Sequence, residues 1–300
     1  ASKNMARGSL AITRNGKIIY QHSFGDPVRY RIGSISKMFT ATMIFQLVEE
    51  GKLELNHTLS QYFPALPNAE KIRISDLLYH RSGLHDYTKD TNFPEWMDAP
   101  KTHVEMLQLI ASKGSDFEPG SATDYSNSNF LLLGYIIESI TGMGYDKALK
   151  QRITGPLRLT ETYLGMAMEP AAGETQSYKY GDSTWKKVKL TDLSIHGGAG
   201  SILSTPENLT RFIEALFGGK LINKQSLATM TTLKEDYGMG IFPFPHNKHT
   251  GFGHGGRIEE FYSNLRYYPK EKIAICYITN GILYPRNDIL DTECHWLYSR

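Results

Sequence analysis

The chain has 300 residues, 40% of them hydrophobic and 21% charged, with a formal net charge of +2. That length supports one large domain or two closely joined ones with a substantial core. The near-neutral balance argues against nucleic acid as a partner, and no uninterrupted apolar stretch approaches the ~20 residues that cross a bilayer.

Residues 9–24 read as a β-hairpin: Leu10, Ile12, Ile18 and Tyr20 lie on β-prone segments joined through Asn15-Gly16, a strong hairpin turn signal. Gly25-Asp26-Pro27 closes it. Next comes Tyr30-Arg31-Ile32-Gly33-Ser34-Ile35-Ser36-Lys37, followed by an apolar run to Gly51 whose Met38, Phe39, Ala41, Met43, Ile44, Phe45, Leu47 and Val48 fall on every face of a helix. A helix apolar all round belongs in the middle of a protein. Ser34 is its cap or first-turn residue, Lys37 lies one turn later on the same side, and Gly51 is its stop.

From residue 52 to about 186 the pattern is helices and loops. Ser75 caps a short segment, 76–80, ending at Arg81-Ser82-Gly83-Leu84; Glu118-Pro119-Gly120 turns toward Tyr125-Ser126-Asn127; residues 130–140 form an apolar helix stopped by Thr141-Gly142; and 144–153 form another helix. Ser204-Thr205-Pro206-Glu207 starts a helix with proline in its first turn, and Gly218-Gly219 ends it. Strands return at 237–244, 257–268 and 272–279, and a helix over 288–298 closes the chain. Strands at both ends with helices between predict an α+β protein. A sheet domain with flanking helices takes residues 1–50 and 187–300, a mainly helical lobe takes 51–186, and a cleft between them is the natural place for a site.

Several familiar chemistries are absent. There is no G-x-S-x-G elbow, no H-E-x-x-H, and no nucleotide-binding G-x-x-x-x-G-K-[ST]. His246 and His249 have ligand-like spacing but sit in a Pro- and Lys-bearing loop. The cysteines, Cys276 and Cys294, form no C-x-x-C and read as small buried packing residues, compatible with either redox compartment. What remains is Ser34 and Lys37 at the positive end of a buried helix, where burial and the helix dipole disfavour the ammonium and suit Lys37 to take a proton. S-x-x-K recurs at Ser183-Thr184-Trp185-Lys186, in a polar stretch with no apolar helix behind it.

With Tyr125-Ser126-Asn127 before the second apolar helix and His254-Gly255-Gly256 opening an expected strand, the ordered set resembles the serine β-lactamase and penicillin-binding protein superfamily. The Tyr-x-Asn and His-x-Gly forms look most like class C β-lactamases, D-Ala-D-Ala carboxypeptidases and related esterases. Leu77-Leu78-Tyr79-His80-Arg81-Ser82-Gly83-Leu84, Pro119-Gly120 and Gly198-Ala199-Gly200-Ser201 look like further landmarks, so the likeness covers nearly the whole chain. Tyr262-Ser263-Asn264 and His196-Gly197-Gly198 repeat two of the motifs out of context.

The resemblance implies that Ser34 becomes an acyl-enzyme, and that Lys37 and Tyr125 share the proton work, with either one as base. Asn127 holds Lys37 and a substrate amide, His254, Gly255 and Gly256 line the opposite wall, and the backbone N–H groups of Ser34 and Arg257 form the oxyanion hole. It implies no metal and no organic cofactor. It also implies a small-molecule or peptide substrate and a location outside the cytoplasm, with which a first residue of Ala1 rather than Met, as after removal of a leader, is consistent. Oligomeric state stays open. The third motif departs from K-T-G in lacking both the lysine and the hydroxyl that hold a substrate carboxylate. Arg257 either replaces the cation or pairs with Glu259 or Glu260, and His254 is expected to gain charge only as pH falls. The expected activity is hydrolysis of small amides or esters of carboxypeptidase or esterase type, with weak β-lactam turnover; the alternative is a penicillin sensor or a catalytically silent binding protein.

Overall fold

Asn15 and Gly16, at φ 52° and 76°, turn the chain between β1 (Ala6–Arg14) and β2 (Lys17–Phe24), as a two-residue hairpin requires. The computed structural model describes residues 6–24, 29–165 and 170–283. A short strand β3 (Tyr30–Arg31) leads through a 3₁₀ turn, Gly33–Ile35, into α1 (Ser36–Glu49), and Gly51 stops that helix. Residues 36–45 are buried without a break, as an all-round apolar helix demands. Each fully buried Met, Phe or Ile there contributes about 1.5–3 kcal/mol.

A run of helices follows, α2 (Ile74–Leu78), α3 (Phe93–Trp96), α4 (His103–Lys113), α5 (Asn127–Thr141) and α6 (Tyr145–Leu149). Ser75 lies inside α2 and is not its cap; the carboxylate of Asp76 instead accepts the Arg73 N–H at 2.9 Å. Helix α5 starts three residues earlier than its apolar run, because Ser128 and Asn129 find buried partners: Ser128 Oγ donates to His85 O at 2.6 Å, and Asn129 Oδ1 accepts from Ser82 Oγ at 2.5 Å. The helix expected over 144–153 is α6 continued by a π turn, Lys150–Thr154.

This stretch also carries strands that the sequence does not announce: β4 (Tyr163–Leu164), β5 (Tyr178–Gly181) and β6 (Thr184–Lys187). They are short and mostly half-exposed, so no alternation marks them. β4 is defined by pairing with β7 (Ile202–Ser204), which also pairs with β3.

Thr205 caps α7 (Pro206–Phe217) by accepting the Asn208 N–H, and α8 (Lys224–Thr231) follows, an unanticipated helix with little apolar face. The last strands are β8 (Phe242–His246), β9 (His249–Ile258), β10 (Phe261–Tyr268) and β11 (Ile273–Ile282). The strand expected over 257–268 is therefore two, divided by a turn at Glu259, which adopts φ 46°. His254-Gly255-Gly256 lies within β9 and does not open it. The expected C-terminal helix and Cys294 lie outside the described residues.

The main sheet has the order β2-β1-β11-β10-β9-β8 with every pair antiparallel, so both ends of the chain build it. Helix α7 covers β1, β10 and β11, and its Phe212 stacks on Phe39 of α1 at 3.7 Å. Helix α1 in turn packs on α5. One buried cluster runs from Leu53 and Ile110, before and within α4, to Leu265 and Ile278 in the sheet. The architecture is α+β, with α1 at its centre and its N-terminal end against β9.

Candidate active site

Ser34 sits in the 3₁₀ turn ahead of α1 and caps nothing: Ile35 holds the cap position. The turn is pinned from several sides. Ile32 N donates to Ile202 O at 3.0 Å, Ser263 Oγ donates to Ile32 O at 2.7 Å, and Ile202 N donates to Ser36 Oγ at 3.2 Å. Gly33 adopts φ 52°, and a Cβ there would lie 2.9 Å from Arg257 N; a Cβ on Gly256 would lie 2.1 Å from Ile32 O. Glycine at these positions lets β9 and the Ser34 turn meet backbone to backbone.

The first two motifs come together at Ser34. Lys37 Nζ lies 3.0 Å from Ser34 Oγ, 2.8 Å from Asn127 Oδ1 and 2.8 Å from Ala199 O. Tyr125 Oη donates to Ser34 Oγ at 2.7 Å, and Lys37 Nζ is 4.9 Å from the Tyr125 ring centre. Burial lowers Lys37 from its ordinary value to about 7, against the opposing pull of Asp86. Burial pushes the Tyr125 phenol well above its usual range, only partly offset by its bond to Ser34. Asn127 Oδ1 and Ala199 O can only accept. A neutral Lys37 therefore spends its two N–H bonds on them and turns its lone pair to the Ser34 hydroxyl.

Sequence reasoning missed part of this environment. Asn127 Nδ2 donates to Asp86 Oδ2 at 3.1 Å and Thr88 Oγ1 at 3.0 Å, which fixes the amide so that its oxygen faces Lys37. Asp86 is buried and stands two residues past the Leu77–Leu84 landmark; the Asp-x-Thr turn, with Asp86 Oδ1 accepting Thr88 N at 3.0 Å, was the available signal. His196, set aside as part of an out-of-context motif, lines the cleft, and burial holds its imidazole near 3 and so neutral. A cavity of about 650 Å³ opens at Ser34, lined also by Phe93, Tyr125, Asn127 and Arg257.

The third motif lies beside the cavity on β9: Arg257, the next residue, lines it, and the His254 ring centre is 6.4 Å from that of Tyr125. Gly255 pairs with Asn264 and Arg257 with Tyr262 across β9 and β10. His254 is 2% exposed, its Nδ1–H donates to Gly255 O, and burial followed by the nearby Lys37 lowers it to about 3. The expectation that it gains charge in mildly acidic solution is thus corrected: the fold keeps it neutral. Arg257 is exposed with its guanidinium 5.1 Å from the Tyr262 ring centre. Glu259, one of its expected partners, is taken by Arg31 at 3.7 Å and by the Thr191 N–H at 2.7 Å.

The other candidates stay apart. Ser183 occupies the β5–β6 turn at φ 60°, and Lys186 pairs with Asp182. Ser263 of Tyr262-Ser263-Asn264 braces Ile32. His246 and His249 face each other across β8 and β9, and His249 Nδ1 contacts Glu271 Oε1 at 2.5 Å. Among the described residues no group of three or more His, Cys, Asp or Glu is placed to hold a metal.

Comparison with known proteins follows the same lines. A family model described as Beta-lactamase matches residues 1–293. A Bacillus subtilis (strain 168) protein described as a penicillin-binding protein is 30% identical over 251 residues, covering 79% of this chain but only 62% of its own length. A teichoic acid D-alanine hydrolase of Staphylococcus aureus (strain NCTC 8325 / PS 47) is 26% identical over 88% of this chain and 69% of its own. Among solved structures, a D-stereospecific amidohydrolase from Streptomyces sp. superposes with a TM-score of 0.83 at 30% identity, covering 94% of this chain and 92% of that one.

Proposed function

Because the chain belongs to the beta-lactamase family, we propose that it is a serine hydrolase that opens small D-amino acyl esters or amides through an acyl-Ser34 intermediate. The observation that carries this is the Ser34 hydroxyl held between Lys37 Nζ at 3.0 Å and Tyr125 Oη at 2.7 Å. Neutral Lys37 takes the proton as Ser34 Oγ bonds to the acyl carbon. The backbone N–H groups of Ser34 and Arg257 receive the developing oxyanion, and Tyr125, still protonated, delivers a proton toward the leaving group. Lys37 passes its proton on to Tyr125. Water then takes the leaving group's place and loses a proton to neutral Lys37 as it attacks the ester carbonyl. Ser34 Oγ departs with a proton from Tyr125, which Lys37 restores, releasing the acid and free Ser34. Asn127 orients Lys37 and offers its amide edge to substrate.

The substrate class follows from what the third motif lacks. A penicillin or a D-Ala-D-Ala peptide carries a free carboxylate, which a cation would hold with charge-assisted hydrogen bonds of about 1.5–3 kcal/mol each. His254 is neutral and Gly255 has no side chain, so Arg257 is the remaining cation of β9 here, and it lies on Tyr262, while Lys189, which also lines the cavity, pairs with Asp98. A D-alanyl ester or D-amino acid amide has its carboxyl group masked and needs no such partner. The names of the relatives, a teichoic acid D-alanine hydrolase and a D-stereospecific amidohydrolase, support that class. Teichoic acid as a substrate would place the reaction outside the cytoplasm, and no described helix is long and apolar enough to cross a membrane.

The test is a panel of short-chain esters, D- and L-alanine amides, D-Ala-D-Ala peptides and penicillins, followed by intact mass and product release together. We expect turnover of esters and D-amides with higher kcat/KM than penicillins. The margin should be constant from pH 5.5 to 8.5, because His254 stays uncharged throughout. Stable adducts without product release would make this a penicillin-binding sensor. Efficient penicillin hydrolysis that disappears in Arg257→Ala would show that arginine has taken over the carboxylate site.

A further inference from the structure

We propose that His80 is the positioning residue for Tyr125, holding the phenol on Ser34 by gripping the chain on both sides of it and stacking on its ring. The inference rests on the proton role given to Tyr125 above. His80, two residues past the end of α2, lies in the left-handed region, φ 57°, a conformation unusual for a side-chain-bearing residue. That conformation aims both its carbonyl and its ring at one short stretch of chain. His80 O accepts the Asp124 N–H at 3.0 Å, and His80 Nδ1 accepts the Ser126 N–H at 3.2 Å. The residue between these anchors is Tyr125, whose ring stacks on the imidazole at 4.3 Å and 30°. Asn129 Nδ2 approaches the same Nδ1 at 3.4 Å, so two donors point at that nitrogen and its proton lies on Nε2. Phe130 and Tyr237 pack around the imidazole at 5.2 and 5.8 Å, and the residue is 1% exposed. One buried residue is thus bonded to both neighbours of the phenol, to Asp124 through its carbonyl and to Ser126 through its ring, and that ring is stacked on the phenol itself.

Two variants separate the parts of the grip. His80→Asn keeps tolerance of the left-handed backbone and an acceptor one bond beyond Cγ, where Nδ1 stood, but removes the ring. His80→Gly removes ring and acceptor without backbone strain. Ester turnover is measured per active site, titrated with a fluorophosphonate, so that loss of folded protein does not register as loss of rate. We expect kcat to fall roughly 10-fold in His80→Asn and roughly 100-fold in His80→Gly, with KM within about 2-fold, since sub-ångström misplacement of a reacting group costs rate more than binding. Introduced into Tyr125→Phe, His80→Asn should cost nothing further, because its effect passes through the phenol hydroxyl. Unchanged kcat per site in both variants, or the same loss with and without the Tyr125 hydroxyl, would overturn the inference and leave the proposed reaction standing. Near wild-type turnover in Tyr125→Phe itself would instead remove the proton role and this inference with it.

Discussion

Ser34→Ala is expected to lower ester turnover by a factor on the order of 10⁶, the scale seen when a covalent nucleophile is deleted, and to abolish labelling by a fluorophosphonate or a fluorescent penicillin. The expectation follows from placement. Ser34 Oγ has an amine at 3.0 Å and a phenol at 2.7 Å, whereas Ser183, in the repeated S-x-x-K, sits in a hairpin turn whose lysine is held by Asp182. Ser183→Ala should therefore match wild type in rate and labelling. An adduct mapped to Ser183, or an undiminished Ser34→Ala enzyme, would refute the assignment.

Tyr125→Phe should cost roughly 10²–10⁴-fold in kcat, the usual scale for a general acid or base, while the protein stays folded. The pH profile tells which member of the pair does what. Lys37 titrates near 7 because burial disfavours its charged form, and only the neutral amine accepts a proton. The kcat/KM for esters should therefore rise about tenfold per pH unit below 7 and level off above it. The phenol is pushed in the opposite direction, well above its usual range, so it remains a donor throughout and adds no second limb below pH 10. Tyr125→Phe should keep the limb near 7 at a lower plateau. Loss of that limb, or its displacement to the ordinary phenol range in the wild type, would give the base role to tyrosine.

Much of this molecule is written locally. The Asn15-Gly16 hairpin, the all-round apolar α1, the Gly51 and Gly142 stops and the Thr205-Pro206 helix start are each decided by residues within a few positions of one another. So is the pairing of Ser34 with Lys37, which one turn of helix brings together. The order of the three motifs also identified the family, since side chains that must converge on one carbonyl constrain sequence at each point of convergence.

Other features depend on distant partners and had to wait for the tertiary structure. β4 is a strand only because β7 pairs with it, and the 257–268 segment is two strands because Glu259 turns it at positive φ. The buried start of α5 is possible because His85 and Ser82 satisfy Ser128 and Asn129. Asp86, Ala199 and His80 reach the site across long stretches of sequence, through single hydrogen bonds that leave no periodic trace. The direction for Lys37 could be read from its place at the start of a buried helix, but the protonation of Tyr125 and His254 was beyond local reading. Residue type and spacing establish that a lysine, a phenol and an imidazole stand near a serine. Which of them is charged depends on how completely the surrounding fold excludes water, and that is a property of the packed whole.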